Sequence, residues 1–586
     1  MNVLRNRAAS LLALLAASLL GAGLLGGCST SDNGNSTGTD ASTPAATTLA
    51  VVKPVAECSQ LAAIDITDIG GAGSKITSAT VTTATVNGNS VSLCAVKGTL
   101  APANTFAVSL PVSTWTQRFA ELGCGGLCGS LTDPTKLEGV SASYKCPLVQ
   151  QGGFVTAATD MGHQGNDAAW TTNEQQQADF AYRGQHITTL AAKKLIKAYY
   201  GQEQKYSYFI GCSDGGREAL MAAQRYPKDY NGIVAGAPAA HFQIQNSVFH
   251  GWSVVSNSTT GTSAGNAILY QDKIAVLHKA VVAACADTPD GLISDPRACN
   301  FDPASIQCAP GATDTSQCLT AAEASAAGKI YGGPLDATTR ERMQVGRPLF
   351  GSEVNWPGVE APGSGTSTGA PVPVAGGVFS YSIVTGAYNL IFSGNPPRPT
   401  VDTFGYTDAS FYNTYLAANH PLYDATNPDM SAFKQAGGKL ILWHGWADQH
   451  ISPRYTIAYY EALQNQMGTS AVDAFARLYL LPGVGHCGGG EGLPNIDLVS
   501  RITDWVEHEA LPAGVTTYRT DSTGMVTASR PVYPYPAVAQ YKGSGDYKDA
   551  ANWTSGAALY NVRTPAWAGS MFYTPYTAKQ QGVAAP

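Results

Sequence analysis

The stretch "YSYFIGCSDGGREALMAAQRYP", residues 206–227, passes from a β-prone aromatic segment into a glycine-rich turn and then into an alanine-rich amphipathic segment. Its centre, Gly-Cys-Ser-Asp-Gly at residues 211–215, fits the pattern G-x-S-x-G. Such a turn between a strand and a helix lifts the serine hydroxyl above the edge of a sheet. The pattern alone is weak in a chain with 63 glycines. The strand–turn–helix context favours Ser213 as a nucleophile over a plain turn.

A serine nucleophile needs a histidine base, and the base needs a carboxylate that holds its tautomer. His486 follows the strand-like segment "ARLYLL", and Asp448 follows the strand-like segment "KLILW". The chain order Ser213, Asp448, His486 is the order expected of an α/β-hydrolase. Three other histidines are rivals for the base, and a hydrogen-bonded structural role is favoured for the first two of them: His163, His444 and His450.

Cysteines flank both ends of this constellation. Cys212 immediately precedes the proposed nucleophile, and Cys487 immediately follows the proposed base. A disulfide between them would hold their Cα atoms about 4.4–6.8 Å apart and bring Ser213 and His486 together. The alternative is that both are buried thiols. Of the 12 cysteines, 11 remain without Cys28, so at least one is free or paired outside the chain.

A tetrahedral intermediate needs an oxyanion hole built from backbone N–H groups. The residue after the nucleophile, Asp214, supplies one donor in this type of turn. The second is expected from the glycine-rich segment "RFAELGCGGLCGS", where Gly123 is the best candidate. A turn held by Cys124 and Cys128 is the structural alternative, and it is compatible with that role.

The order of segments predicts an α/β protein with the α/β-hydrolase fold and a large inserted lid domain. Residues 51–238 alternate strand-like and helix-like segments and form the first part of the core. Residues 239–435 lose this alternation and form the lid. Residues 436–586 resume it and complete the core.

The first 50 residues predict export. Residues 1–27 combine a short basic start with an apolar run, as in a signal peptide of the lipoprotein type. Cys28 would then carry the lipid, and residues 28–50 would form a flexible tether. An ordinary cleaved signal peptide is the alternative. The expected location is the outer membrane, as a lipoprotein, or the periplasm or extracellular space, with membrane contact only through the anchor. A net charge of −7 without a basic run disfavours nucleic acid as a partner.

The segments "FIGCSDGGREALMAAQRYPKDYNGIVAGAPA", "ATDMGHQG", "LILWHGWADQHISP" and "LLPGVGHCGGG" resemble the tannase and feruloyl esterase family, which includes mono(hydroxyethyl)terephthalate hydrolases. The resemblance implies a serine carboxylesterase that forms an acyl-enzyme on esters of phenolic acids, such as galloyl or feruloyl esters, with no cofactor for catalysis. It also implies the Cys212–Cys487 bridge and three further pairs: Cys58–Cys94, Cys285–Cys299 and Cys308–Cys318.

The family's lid usually binds structural calcium, and here the matching loop "CADTPDGLISDPRAC" is shorter. Asp287, Asp290 and the Leu292 carbonyl, with Asp295 as an additional candidate, are the expected ligands. The alternative is a turn closed by its disulfide alone.

Substrate contacts are expected from Ile451, Trp443 and Tyr388, with Phe379 and Tyr381 in the same aromatic wall; the alternative is that these lid aromatics form only its core. A terephthalate monoester hydrolase is a second hypothesis, which the position of Arg398 beyond the matching place disfavours. A hypothesis of another class is a non-catalytic surface lipoprotein that binds polyphenols or glycans.

Overall fold

The computed structural model describes residues 49–86, 89–135, 152–165, 168–393, 398–417 and 419–577. The predicted signal peptide, Cys28, nearly all of the predicted tether and Cys146 lie outside these residues. Within the described part of the chain, no helix combines the length and the apolar character needed to cross a membrane.

One nine-stranded sheet forms the centre of the molecule, in the order β1-β2-β3-β5-β4-β6-β7-β8-β9. The strands are β1 Lys75–Val86, β2 Asn89–Leu100, β3 Asn104–Pro111, β4 Arg118–Leu122, β5 Phe154–Thr159, β6 Tyr206–Cys212, β7 Gly232–Gly236, β8 Lys439–Gly445 and β9 Ala476–Leu481.

The sheet changes direction once. β1, β2, β3 and β5 pair antiparallel, whereas β5, β4, β6, β7, β8 and β9 pair parallel. The parallel strands β4, β5 and β7 are buried along their whole length, as expected when helices cover both faces. Because parallel strands end at the same edge, the loops after β4, β6, β8 and β9 lie together.

The α-helices are α1 Thr67–Gly70, α2 Glu174–Ala178, α3 Gly184–Tyr200, α4 Asp214–Arg225, α5 Phe242–Ile244, α6 His250–Ser256, α7 Gln271–Cys285, α8 Ala321–Gly332, α9 Phe379–Ile391, α10 Ala409–Phe411, α11 Ser431–Gln435, α12 Pro453–Met467, α13 Thr469–Asp473 and α14 Leu498–His508. A single π-helical turn at Asp179–Arg183 directly precedes α3.

The chain between β7 and β8 contains helices α5 to α11 and, among its described residues, no strand of the central sheet. Its own apolar cluster includes Leu277, Ile330 and Trp356. One short strand directly before α14 and two strands after it form a small sheet with the order β10-β11-β12, and two further strands pair antiparallel. These strands are β10 Asn495–Ile496, β11 Val515–Thr520, β12 Val526–Val532, β13 Val538–Tyr541 and β14 Trp553–Gly556.

Candidate active site

Ser213 stands alone between β6, which ends at Cys212, and α4, which begins at Asp214. Its φ of 66° and ψ of −123° are costly for a residue with a side chain, and such strain is concentrated at functional sites. The turn requires glycine two positions before and two positions after the serine, at Gly211 and Gly215. A Cβ on Gly211 would lie 2.2 Å from the carbonyl oxygen of Gly215. The serine hydroxyl is therefore presented at the carboxyl edge of the sheet.

The three predicted side chains form one continuous hydrogen-bonded chain. The Nε2 atom of His486 lies 2.9 Å from Oγ of Ser213, and its Nδ1 atom lies 2.8 Å from Oδ2 of Asp448. When Nδ1–H donates to the carboxylate, Nε2 is left as the acceptor for the serine proton. Ser213, Asp448 and His486 thus meet as the sequence predicted.

Asp448 is fully buried and accepts four hydrogen bonds. Besides His486, its carboxylate receives His444 Nε2 at 3.0 Å and the backbone N–H groups of His450 and Ile451 at 2.8 and 2.9 Å. Burial by itself would raise the pKa of Asp448, but the two imidazoles and the hydrogen bonds outweigh it and lower the pKa well below its ordinary value. The carboxylate therefore stays ionised and fixed in place.

The three other histidines considered for the role of base do not contact Ser213 in the described hydrogen bonds. His444 is buried and hydrogen-bonded through both ring nitrogens, since its Nδ1 lies 2.8 Å from Thr456 Oγ1. His163 is buried in a stack against Trp170, with ring centroids 3.8 Å apart. Both have the structural environment that the sequence favoured for them. His450 lies beside His486, with ring centroids 4.7 Å apart.

A disulfide joins Cys212 to Cys487, with Cα atoms 5.9 Å apart, across 275 positions of sequence. The pairing that the sequence predicted is confirmed, and it connects the neighbours of Ser213 and His486. All ten cysteines in the described part of the chain are paired. The other four bridges are Cys58–Cys94, Cys124–Cys128, Cys285–Cys299 and Cys308–Cys318.

The backbone N–H of Asp214 has no hydrogen-bond partner among the described residues. Its carboxylate points inward to Arg217, whose Nε and Nη2 atoms donate to it at 2.6 and 2.8 Å. Because this side chain is held in the protein, the N–H at the start of α4 remains available to a negatively charged oxygen, as an oxyanion hole requires.

The prediction that Gly123 supplies the second donor is wrong. Its N–H donates to the carbonyl of Ile210 at 3.0 Å and so continues the pairing of β4 with β6. Gly123 instead allows close packing, because a Cβ there would lie 2.5 Å from Cα of Gly215. The next N–H, of Cys124, donates to Glu218 at 3.1 Å, whereas that of Gly125 has no partner among the described residues.

Residues 85–556 match the family model described as "Tannase and feruloyl esterase". The chain belongs to this family. Two curated relatives are each 30% identical to it: a mono(2-hydroxyethyl) terephthalate hydrolase of Piscinibacter sakaiensis, over 77% of this chain and 81% of that protein, and a probable feruloyl esterase B-2 of Aspergillus terreus, over 80% and 87%.

Solved structures of this tannase and feruloyl esterase family agree with the fold. A feruloyl esterase B from Aspergillus oryzae is 24% identical and covers 85% of this chain and 100% of its own, with a TM-score of 0.69. A tannin acyl hydrolase from Aspergillus niger is 19% identical, with 92% and 100% coverage and a TM-score of 0.67. The predicted α/β-hydrolase fold is confirmed, and family membership identifies the chain as a carboxylic ester hydrolase.

Two of the residues predicted to contact substrate are packed against other parts of the protein. Trp443 on β8 is completely buried between strands, where a Cβ on Gly236 would lie 2.4 Å from its indole ring. Tyr388 on α9 is buried in the core of the insert, stacked on Phe404 with ring centroids 5.5 Å apart. Contact of either ring with substrate stays a prediction. Ile451 is buried beside Asp448 and stays a prediction.

Each of the aspartates expected to bind calcium has a partner within the protein in this esterase. Asp287 Oδ1 accepts the backbone N–H of Ser294 at 2.9 Å. Asp290 pairs with Nη1 of Arg530 at 3.1 Å, and Asp295 pairs with Arg297 at 2.7 Å. These three carboxylates are not close enough to one another to bind one ion together.

The Leu292 carbonyl accepts the Thr288 hydroxyl at 2.9 Å. The side chain of Arg530 is almost completely buried, and its guanidinium lies 4.2 Å from the ring centroid of Trp553. A protein cation thus occupies the surroundings of Asp290. Calcium binding by Asp287, Asp290 and the Leu292 carbonyl stays a prediction.

Among the described residues, one set of side chains brings potential metal ligands together: Cys124, Cys128, Asp214 and Glu218. The two sulfur atoms are bonded to each other, and a metal would need them as thiolates. Asp214 is already paired with Arg217. Burial, followed by the charge of Asp214, raises the pKa of Glu218 to about 8, so this carboxyl is protonated at neutral pH. These four side chains instead hold the segment after β4 against the start of α4.

Proposed function

We propose that this esterase hydrolyses esters of aromatic, phenolic carboxylic acids through an acyl-enzyme. The observation that carries the proposal is the Ser213–His486–Asp448 chain, with both of its hydrogen bonds under 3 Å and its two distant ends tied by one disulfide. A binding protein needs no base beside a serine, so this arrangement favours catalysis over the alternative of a polyphenol- or glycan-binding lipoprotein.

The reaction begins when Ser213 Oγ attacks the ester carbonyl while His486 Nε2 takes its proton. The C–O bond to the alcohol then breaks, and His486 returns the proton to the leaving oxygen. Water attacks the acyl-enzyme with the same base and releases the acid. Asp448 stabilises the imidazolium in both halves. The N–H of Asp214 stabilises the oxyanion, and we assign the second donor to Gly125.

The aromatic acyl group is supported by the surroundings of the base and by the names of the relatives, which act on feruloyl or terephthalate esters. Phe379, at the start of α9, is 40% exposed and lies edge-on to His450, with ring centroids 4.7 Å apart. Arg398 donates to Asn389 on the surface of the insert, which does not favour a role in binding a terephthalate carboxylate.

The decisive test compares the wild type with Ser213→Ala on methyl ferulate, methyl gallate, chlorogenate and a terephthalate monoester. The substitution should lower kcat by roughly 10⁶-fold, and a fluorophosphonate probe should label the wild type only. Ser555→Ala, at an exposed serine of β14, is the matched control and should behave as the wild type. Full turnover by Ser213→Ala would overturn the mechanism, and preference for the terephthalate ester would overturn the substrate class.

We also propose that the protein is exported. Five disulfides in the described residues support an oxidising compartment. The finer proposal, lipidation at Cys28, is tested by labelling with radioactive palmitate. Cys28→Ala should lose the label and leave the membrane fraction. An unlabelled, freely released wild type would instead establish an ordinary signal peptide.

A further inference from the structure

Two aromatic side chains pack one after the other from the catalytic imidazole. The ring of His450 lies 4.7 Å from that of His486, and the ring of Phe379 lies 4.7 Å from that of His450 at an interplanar angle of 86°. His450 belongs to the loop after β8, whereas Phe379 belongs to the insert between β7 and β8. The core and the insert therefore each provide one ring beside the reacting centre.

The backbone of His450 is fixed on both sides. Its N–H donates to Asp448 Oδ1 at 2.8 Å, and its carbonyl accepts the amide of Gln245. Its side chain is different, because neither ring nitrogen has a hydrogen-bond partner among the described residues. The buried His250 nearby has both ring nitrogens engaged, by Ser380 and by Gln245.

The imidazole of His450 is neutral at working pH. Burial lowers its pKa, the neighbouring charge of His486 lowers it further, and the resulting pKa is about 3. A neutral imidazole has one N–H donor and one nitrogen acceptor. A phenolic hydroxyl also donates and accepts, so the two groups are complementary. A positively charged side chain in this place would instead favour a carboxylate.

We infer that His450 and Phe379 form the surface that recognises the acyl group. Phe379 contacts the aromatic ring, and a ring nitrogen of His450 forms a hydrogen bond to a hydroxyl substituent of that ring. The inference rests on the proposed function and specifies its substrate class: esters of hydroxylated aromatic acids are preferred to the same esters without the hydroxyl. His450 takes no part in proton transfer to or from Ser213.

The test uses matched ester pairs: methyl 4-hydroxycinnamate against methyl cinnamate, and methyl 4-hydroxybenzoate against methyl benzoate. His450→Phe keeps a ring of similar shape and removes both hydrogen-bonding atoms. It should lower kcat/KM for the hydroxylated esters by about 10-fold, the value of one hydrogen bond, and leave the unsubstituted esters nearly unchanged. The ratio within each pair should fall accordingly.

Two further variants separate recognition from structural roles. His450→Gln retains a donor and an acceptor and should preserve most of the preference for the hydroxylated ester. This variant also provides the test if His450→Phe fails to fold. Phe379→Leu should raise KM for both members of a pair equally. His508→Phe makes the same chemical change at an exposed helix end and should alter nothing.

Equal losses on both members of each pair with His450→Phe would show that His450 only positions His486 and would overturn the inference. An unchanged ratio would overturn it as well. Failure of the proposed function looks different, because the wild type itself would then turn over none of the four esters.

Discussion

Removal of the bridge between Cys212 and Cys487 should damage both stability and catalysis. The proposed variant is the double substitution Cys212→Ser/Cys487→Ser. The bridge closes a loop of 275 positions, the longest of the five disulfide loops in the described chain. In the chain-entropy model a loop of that length contributes about 5.6 kcal/mol, an upper value because other bridges already restrict the unfolded chain.

The catalytic effect follows from position rather than from stability. Cys487 is covalently next to His486, whose Nε2 atom must stay 2.9 Å from Ser213. Without the bridge, the glycine-rich segment 485–490 is tied to the nucleophile turn only by hydrogen bonds. A displacement of about 1 Å at a reacting group costs roughly 10²-fold in rate. We therefore expect kcat to fall by about that factor even at temperatures where the variant is fully folded.

Cys308→Ser/Cys318→Ser is the matched control. That bridge closes a loop of only 10 positions within the insert and is worth about 3 kcal/mol in the same model. Both variants should lower Tm, measured by circular dichroism, but only the first should lower kcat on methyl ferulate well below the melting range. If both variants retain wild-type kcat, or if both lose it equally, the bridge does not act by holding His486 against Ser213.

Three further outcomes are expected. Asp448→Asn should lower kcat by about 10⁴-fold with little change in KM, because the imidazole loses its tautomer and its counter-charge; full kcat would contradict the triad. EDTA or added calcium should leave Tm unchanged in the wild type, whereas Arg530→Gln should lower it; a calcium-dependent wild-type Tm would show a bound ion. Burial lowers the pKa of His278, but hydrogen bonds to Glu353 and Glu491 outweigh this and raise it above its ordinary value. The protonated His278 therefore stabilises the folded protein fully below about pH 6.5, and this stabilisation is lost as the pH rises through the raised pKa. His278→Gln should flatten this part of the Tm–pH curve. An unchanged curve would show that protonation of His278 does not contribute to stability.

The sequence was sufficient for those parts of the site that strand order determines. Ser213, Asp448 and His486 each follow a strand that ends in a polar loop, and parallel strands bring their ends to one edge. The cysteines next to two of them then restrict the geometry further. Predictions of this kind succeed because they depend only on residues that are adjacent in the sequence.

Predictions that depended on three-dimensional exposure were less successful. Trp443 and Tyr388 have the residue type of a substrate wall, but one lies within the sheet and the other within the insert. Gly123 stands in the expected loop, yet β4 extends by one more hydrogen bond and uses its N–H. The partner of Asp290 lies 240 positions away at Arg530, and no spacing rule could connect them.

The positions of the triad and of the inferred acyl-group contacts indicate where substrate selectivity within the family arises. The triad and its bridge lie on the strand ends of the core, so relatives that keep them share the chemistry of ester cleavage. The residues that we infer to face the acyl group come from two separate segments, the loop after β8 and the start of α9. Their contact, His450 against Phe379, exists only when the insert is packed on the core. A change at either position can therefore alter the preferred acid while the catalytic geometry of Ser213 and His486 stays intact. Membership of the family alone does not determine the substrate.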